Sequence, residues 1–302
     1  MKSKGFLAVL LLTALASFGQ QSNPSQTPPP AQGAAAPAKS AGRMLQAQSQ
    51  DEMKAYQDAF ALTDPAKLEA AANDFAAKYP KSQLRASLYI RAMNLYAQSN
   101  NTDKVIDCGR LAIAADPINP VPLVQVASAL AESTHDTDLD REQRLAEAAK
   151  DAHAAIDNIE TGLLVPANAD PARVEGAKHS ILAMAYDTLG MIDLSKQDYA
   201  AAVTNLQKAI SQNPANPEAV LYLRLSVAQD KLNQLPQALD SANKAVQYAK
   251  DGTAAQNLAK QQQARLQKLM SAAPASGAAA PMSPSPVPIP QSAPSPAPNP
   301  QH

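Results

Sequence analysis

Four acidic side chains, Asp136, Asp138, Asp140 and Glu147, stand at positions 1, 3, 5 and 12 of a twelve-residue window. Hard carboxylate oxygens at that spacing can wrap a Ca²⁺ ion. The window departs from such a loop at position 6, where Arg141 takes the place of the glycine that makes the sharp turn, and at position 8, where Gln143 replaces an aliphatic residue. The competing reading is a helix start, with Asp140 accepting a bond from a first-turn amide and Gln143 reaching back. That cap is the expectation, and no metal is assigned. His153 and Asp157, one helical turn apart, offer two ligands, too few for a metal centre, and read as a solvated i, i+4 pair. The single cysteine, Cys108, has no partner for a disulfide and reads as a small buried hydrophobe. A glycine-rich phosphate loop, a His-Glu-x-x-His motif and a strand-turn-helix setting for a nucleophilic serine are all missing. The expectation is a chain that is not an enzyme and needs no cofactor.

The scaffold around these residues is legible in composition. Of 302 residues 63 are Ala, none is Trp, aromatics are 4% and only 10 are Gly. Ala is the strongest helix former and is poor in strands, so the expected class is all-α. Lys plus Arg number 26 against 27 acids, which gives no global field toward nucleic acid or an anionic membrane. No nucleic-acid partner is expected.

Lys2 and Lys4 precede an apolar run from Phe6 to Ala16, followed by small residues up to Gly19. This is the order of a secretory signal peptide, read over residues 1–19, with cleavage near Ala16 or Gly19. The run falls short of the ~20 residues of a spanning helix, so no transmembrane segment is expected beyond the signal peptide. Residues 20–43 carry five Pro with much Gln and Ala, and residues 271–302 carry ten Pro and no Asp, Glu, Lys or Arg. Both read as disordered segments around a helical body at 44–270.

Within that body a 34-residue unit recurs. From Ala183 to Asn216, Tyr186, Leu189 and Gly190 share one helical face, and Tyr199, Ala202, Leu206 and Ala209 share another before Pro214 ends the second helix. Ala86 to Asn119 repeats the spacing, with Met93 where Gly190 stands, so looser or shifted helix packing is expected there. Residues 219–250 repeat it with Tyr222, Leu225, Ser226, Ala238, Ala242 and Ala245. A degenerate unit covers about 50–82, an interrupted one 120–158 with an insertion at 134–144, and a cap at 254–270 turns Leu258, Leu266 and Leu269 inward. This pattern resembles the tetratricopeptide repeat, and the Phe75-x-x-x-Tyr79-Pro80 ending is similar to exported bacterial envelope members of that family. The resemblance implies a right-handed superhelical stack of helix pairs whose first helices line a concave groove.

The resemblance also implies which residues meet a partner. Positions 5 and 9 of each first helix, which face the groove in the family, are Ile90 and Asn94, Val124 and Ser128, Asp187 and Met191, and Leu223 and Val227. Five of these eight are apolar. The family's clamp for a terminal carboxylate needs Lys at position 5, where Ile90 stands, so that ligand is not expected. The functional expectation is an adaptor of the bacterial envelope or secretome binding a peptide or protein. Two alternatives are an accessory subunit regulating an envelope enzyme and a calcium-responsive module at 136–147. The partner's identity and the oligomeric state are not legible.

Overall fold

The structure is a computed structural model and describes residues 43, 45–166 and 168–272. The expected signal peptide, the linker apart from Arg43, and the tail apart from Ser271 and Ala272 lie outside the described residues. Twelve helices form among them: α1 (Gln50–Phe60), α2 (Pro65–Lys78), α3 (Arg85–Gln98), α4 (Thr102–Ala115), α5 (Pro120–Ser133), α6 (Arg141–Asp157), α7 (Ile159–Gly162), α8 (Pro171–Ser195), α9 (Tyr199–Gln212), α10 (Ala219–Lys231), α11 (Leu235–Tyr248) and α12 (Ala254–Ala272). None is long and apolar enough to cross a membrane. The fold is an all-α stack of tetratricopeptide-like pairs, α1–α2, α3–α4, α5–α6, α8–α9 and α10–α11, closed by α12. Each first helix packs on its own second helix and on the second helix of the preceding pair, while α8 also approaches α5 and α10.

The local signals that start these helices are those of capping chemistry. Side chains of Ser49, Asp64, Asn101, Asp170 and Asp198 accept bonds from first-turn amides, and Pro65, Pro120, Pro171 and Pro236 occupy first-turn positions, where a missing N–H costs nothing. The turn inside the pair is equally regular. Asn100, Gln197 and Asn233 all adopt left-handed backbone, with φ of 55°, 61° and 58°. All three stand at position 15 of units beginning at Ala86, Ala183 and Ala219.

The core is built from small residues opposite large ones. A β-carbon added to Gly190 would lie 2.8 Å from Leu206 Cγ, so glycine lets α9 sit directly on α8 and bury Leu206 completely. In the α3–α4 pair the same two positions are exchanged. Met93 fills the place of Gly190, and Gly109 fills the place of Leu206. Of the looser or shifted packing expected at Met93, the looser half is corrected: Met93 is fully buried, with its Sδ 3.1 Å from where a Gly109 β-carbon would be.

Two other expectations are overturned. Leu266 of α12 is buried, but Leu258 and Leu269 are exposed. The end of the α10–α11 pair presents polar groups, so the inward face of α12 supplies amides. Gln262 Nε2 donates to Ser226 Oγ, and Gln263 Nε2 donates to Asn243 Oδ1 at 2.8 Å. Asp140 does precede α6, but its side chain makes no capping bond and lies 4.0 Å from Arg144. Its ψ of 15° is not the extended backbone that aims a carboxylate at the first-turn amides.

Residues ahead of α1 form a strap. The Arg43 side chain donates to the Asp116 carboxylate beyond α4 and to the Gly162 carbonyl at the end of α7, and its carbonyl accepts from Val165 N–H at 3.2 Å. Leu45 and Ala47 then pack on the core of the first pairs.

Candidate functional site

The four carboxylates of the proposed calcium window have other partners. Glu147 accepts two 2.7 Å bonds from Arg110, a bidentate pair that holds its carboxyl below the ordinary range. Asp138 accepts from His135 N–H, and Asp136 pairs with Arg141. Arg141 reaches across to the end of α8, donating to the Ser195 carbonyl at 2.7 Å and to its hydroxyl at 2.6 Å. The insertion is thus pinned to the next unit through Arg141. Among the described residues no group of three His, Cys, Asp or Glu side chains converges as for a metal. His153 and Asp157 are both exposed. Cys108 is fully buried, and burial pushes its thiol up to about 12, so no thiolate forms at neutral pH.

The groove positions on the first helices are those that the resemblance implies. Of the residues placed there by sequence, Val124 and Ser128 are corrected: they are buried, at 2% and 5% exposure. The cause is α8, which begins at Pro171, twelve residues ahead of its unit start at Ala183, and packs along α5 with Ile181, Met184 and Ala185 against the Val124 side. Ile90 is half-buried and packed on the core, and the half-buried Asn94 has its Oδ1 without a hydrogen-bond partner among the described residues. Met191, Leu223 and Val227 are half-buried, like Ile90, but stand outside the packed core clusters. The residues carried over only as repeat positions, Leu189, Gly190, Ala202, Ala209, Ala238 and Ala245, are buried; Tyr199 is half-buried and Pro214 exposed.

Asp187 takes part in a charge arrangement that the repeat positions do not announce. It pairs with Arg224, joining α8 to α10, and burial pushes its carboxyl above the ordinary value against the pull of that guanidinium. Glu132 near the end of α5 and Glu218 just before α10, both exposed residues, feel the charges of this pair. Partial desolvation of the carboxyl ends raises both, the Asp187 charge adds to the rise, and Arg224 opposes it. Arg224 stands beside a carried-over position, at 6 in its unit. Asp187 was carried over as a groove position and Arg224 flanks another, but no spacing in the sequence shows that the two pair.

No family model matches the sequence, and no curated protein matches it. Among solved structures, the chain is similar to the MamA protein at 16% identity and a TM-score of 0.46, covering 66% of this chain and 90% of that one. It is also similar to residues 1–338 of Acl4, an assembly chaperone of RpL4, at 10% identity and a TM-score of 0.38, over 74% of this chain and 98% of that one. Both likenesses are distant. The fold stands on the helix pairs themselves.

Proposed function

We propose that this chain is a non-enzymatic scaffold of the bacterial envelope or secretome, exported by its N-terminal signal peptide, that holds a segment of a partner protein along the inner face of its first helices. The observation that carries the reading is the placement of Met191, Leu223 and Val227. They are half-buried apolar side chains on the first helices of successive pairs and belong to no packed cluster. Apolar anchors of this kind supply most of the energy at protein interfaces, and a first-helix face accepts them as a groove accepts a peptide. The test is the double substitution Met191→Glu with Val227→Glu, with the full chain used as bait in extract of its own host. Loss of captured protein with unchanged circular dichroism and melting temperature is expected. Undiminished capture by a folded variant places the binding surface elsewhere.

A further inference from the structure

The last helix has a second stripe beside the one it buries. Ala254, Leu258, Gln261, Arg265, Leu269 and Ala272 recur every three or four residues along α12 and share one face, on the flank of the buried Ala259 and Leu266. All six are exposed, Leu258 at 53% and Leu269 at 41%. A lone exposed leucine is ordinary, whereas two on one stripe of a terminal helix make a surface. Arg265, the one charged residue of the stripe, donates to the Asp230 carboxylate of α10. That pair neutralises the stripe and ties it to α10. A charged segment lying here would lose water and find no ion of opposite sign to meet it, so the surface suits an uncharged, apolar segment. The chain itself supplies one. Directly beyond Ala272, residues 273–302 hold ten Pro and no Asp, Glu, Lys or Arg. They depart from the same last turn of α12 that carries Leu269.

We infer that the segment from Pro281 to Pro290 turns back within the same molecule and lies along the α12 stripe, anchored on Leu258 and Leu269. In a polyproline helix three residues make a turn, which sets Pro281, Pro284, Val287 and Pro290 on one wholly apolar face. At ~3.1 Å per residue that face is roughly 28 Å long. It spans the roughly 16 Å that α-helical rise sets between Leu258 and Leu269. Residues 273–280 connect it to α12, and Gly277 in their midst permits the reversal. The tether supplies an effective concentration of about millimolar, so contacts too weak to hold a separate peptide suffice. This docking stands apart from the groove reading and needs no partner protein.

The test uses the purified full chain with the photo-crosslinking residue p-benzoylphenylalanine in place of the exposed Leu258, irradiated at 0.5 and at 50 μM. Mass spectrometry of the monomer band is expected to find crosslinks to residues 281–290, in equal yield at the two concentrations. The variant Pro284→Asp, Val287→Asp places charge on the docking face, and both substitutions lie beyond α12. Its crosslink yield is expected to fall at least five-fold with circular dichroism unchanged. A yield in that variant equal to that of the unsubstituted tail shows proximity without docking and overturns the inference. Crosslinks that appear only as dimers and only at 50 μM place a second copy on the stripe, and overturn it equally. So does the absence of crosslinks to residues 281–290 at both concentrations.

Discussion

Met93 of α3 packs on Gly109 of α4 at the two positions where, in the α8–α9 pair, Gly190 lies beneath Leu206. Large and small have changed helices while the crossing is kept. Two helices approach closely wherever one of the two side chains is absent, and which helix gives way is immaterial to the backbone. Gly190→Ala is therefore expected to lower stability by about 1–3 kcal/mol through overpacking against Leu206. Gly176→Ala, where an added β-carbon meets nothing within 4 Å, is expected to raise it by about 0.5–1 kcal/mol through helix propensity. Urea melts of the two variants should move in opposite directions.

The left-handed residue at position 15 predicts a gain. Gln197 holds φ 61° with a side chain that disfavours it. Gln197→Gly is expected to stabilise by about 1 kcal/mol and Gln197→Val to destabilise by at least as much. Thermal denaturation of both separates the turn from any loss of side-chain contacts, since Gln197 is exposed.

Next to that turn, α4 and α9 are capped by Asn101 and Asp198, whereas α11 starts after Gln234 with no side-chain cap. Gln234→Asp adds the missing acceptor and places negative charge at a helix N-terminus. The expected gain is about 1 kcal/mol, read as a higher urea midpoint with an unchanged slope.

Asp151 is buried on α6, and burial, reinforced by the Glu147 charge, pushes its carboxyl up to about 6. Its folded pKa lies above its ordinary value, so the folded state holds the proton more tightly. The penalty is absent below about pH 4, grows between pH 4 and 6, and is fully present above 6. Asp151→Asn is expected to match the wild type at pH 4 and to exceed it at pH 7.5 by on the order of 1 kcal/mol. Melting temperatures at the two pH values check the sign.

Edman sequencing of the protein made in its own host is expected to begin just after Ala16 or Gly19. Loss of Lys2 and Lys4 shifts the formal charge from −1 to −3. An intact Met1 on a cytosolic protein overturns export.

The pairs and their register were legible because they depend on residues close in sequence. Tyr186, Leu189, Gly190, Ala202 and Leu206 repeat at helical spacing, and a proline or a capping side chain marks the breaks. What lies between pairs was not legible. Val124 sits at a groove position by repeat arithmetic, yet α8 covers it, because the helix starts twelve residues early at Pro171 and no spacing within 120–158 encodes that. Asp187 and Arg224 are 37 residues apart and meet only through the stacking of two units. The outward turn of Leu258 and Leu269 had the same origin. Hydrophobicity alone set the expected face of α12, whereas the serines and amides at the end of the stack decided it.

A row of helix pairs touching only its neighbours ordinarily melts piecemeal, as a one-dimensional chain of weakly linked units. Arg43 breaks that locality. Its bonds to Asp116 and Gly162 span 73 and 119 residues, so opening any of the first three pairs must either release the strap or open the others with it. Amide protons of α3 to α6 should therefore exchange as one cooperative block, while α10 to α12, joined only pair to pair, open at lower free energy. Arg43→Ala should divide that block and leave the exchange of α10 to α12 unchanged. The long loop closures place the strap late in folding, since their entropy must be met before its bonds can form. Its removal should then speed unfolding more than it slows refolding.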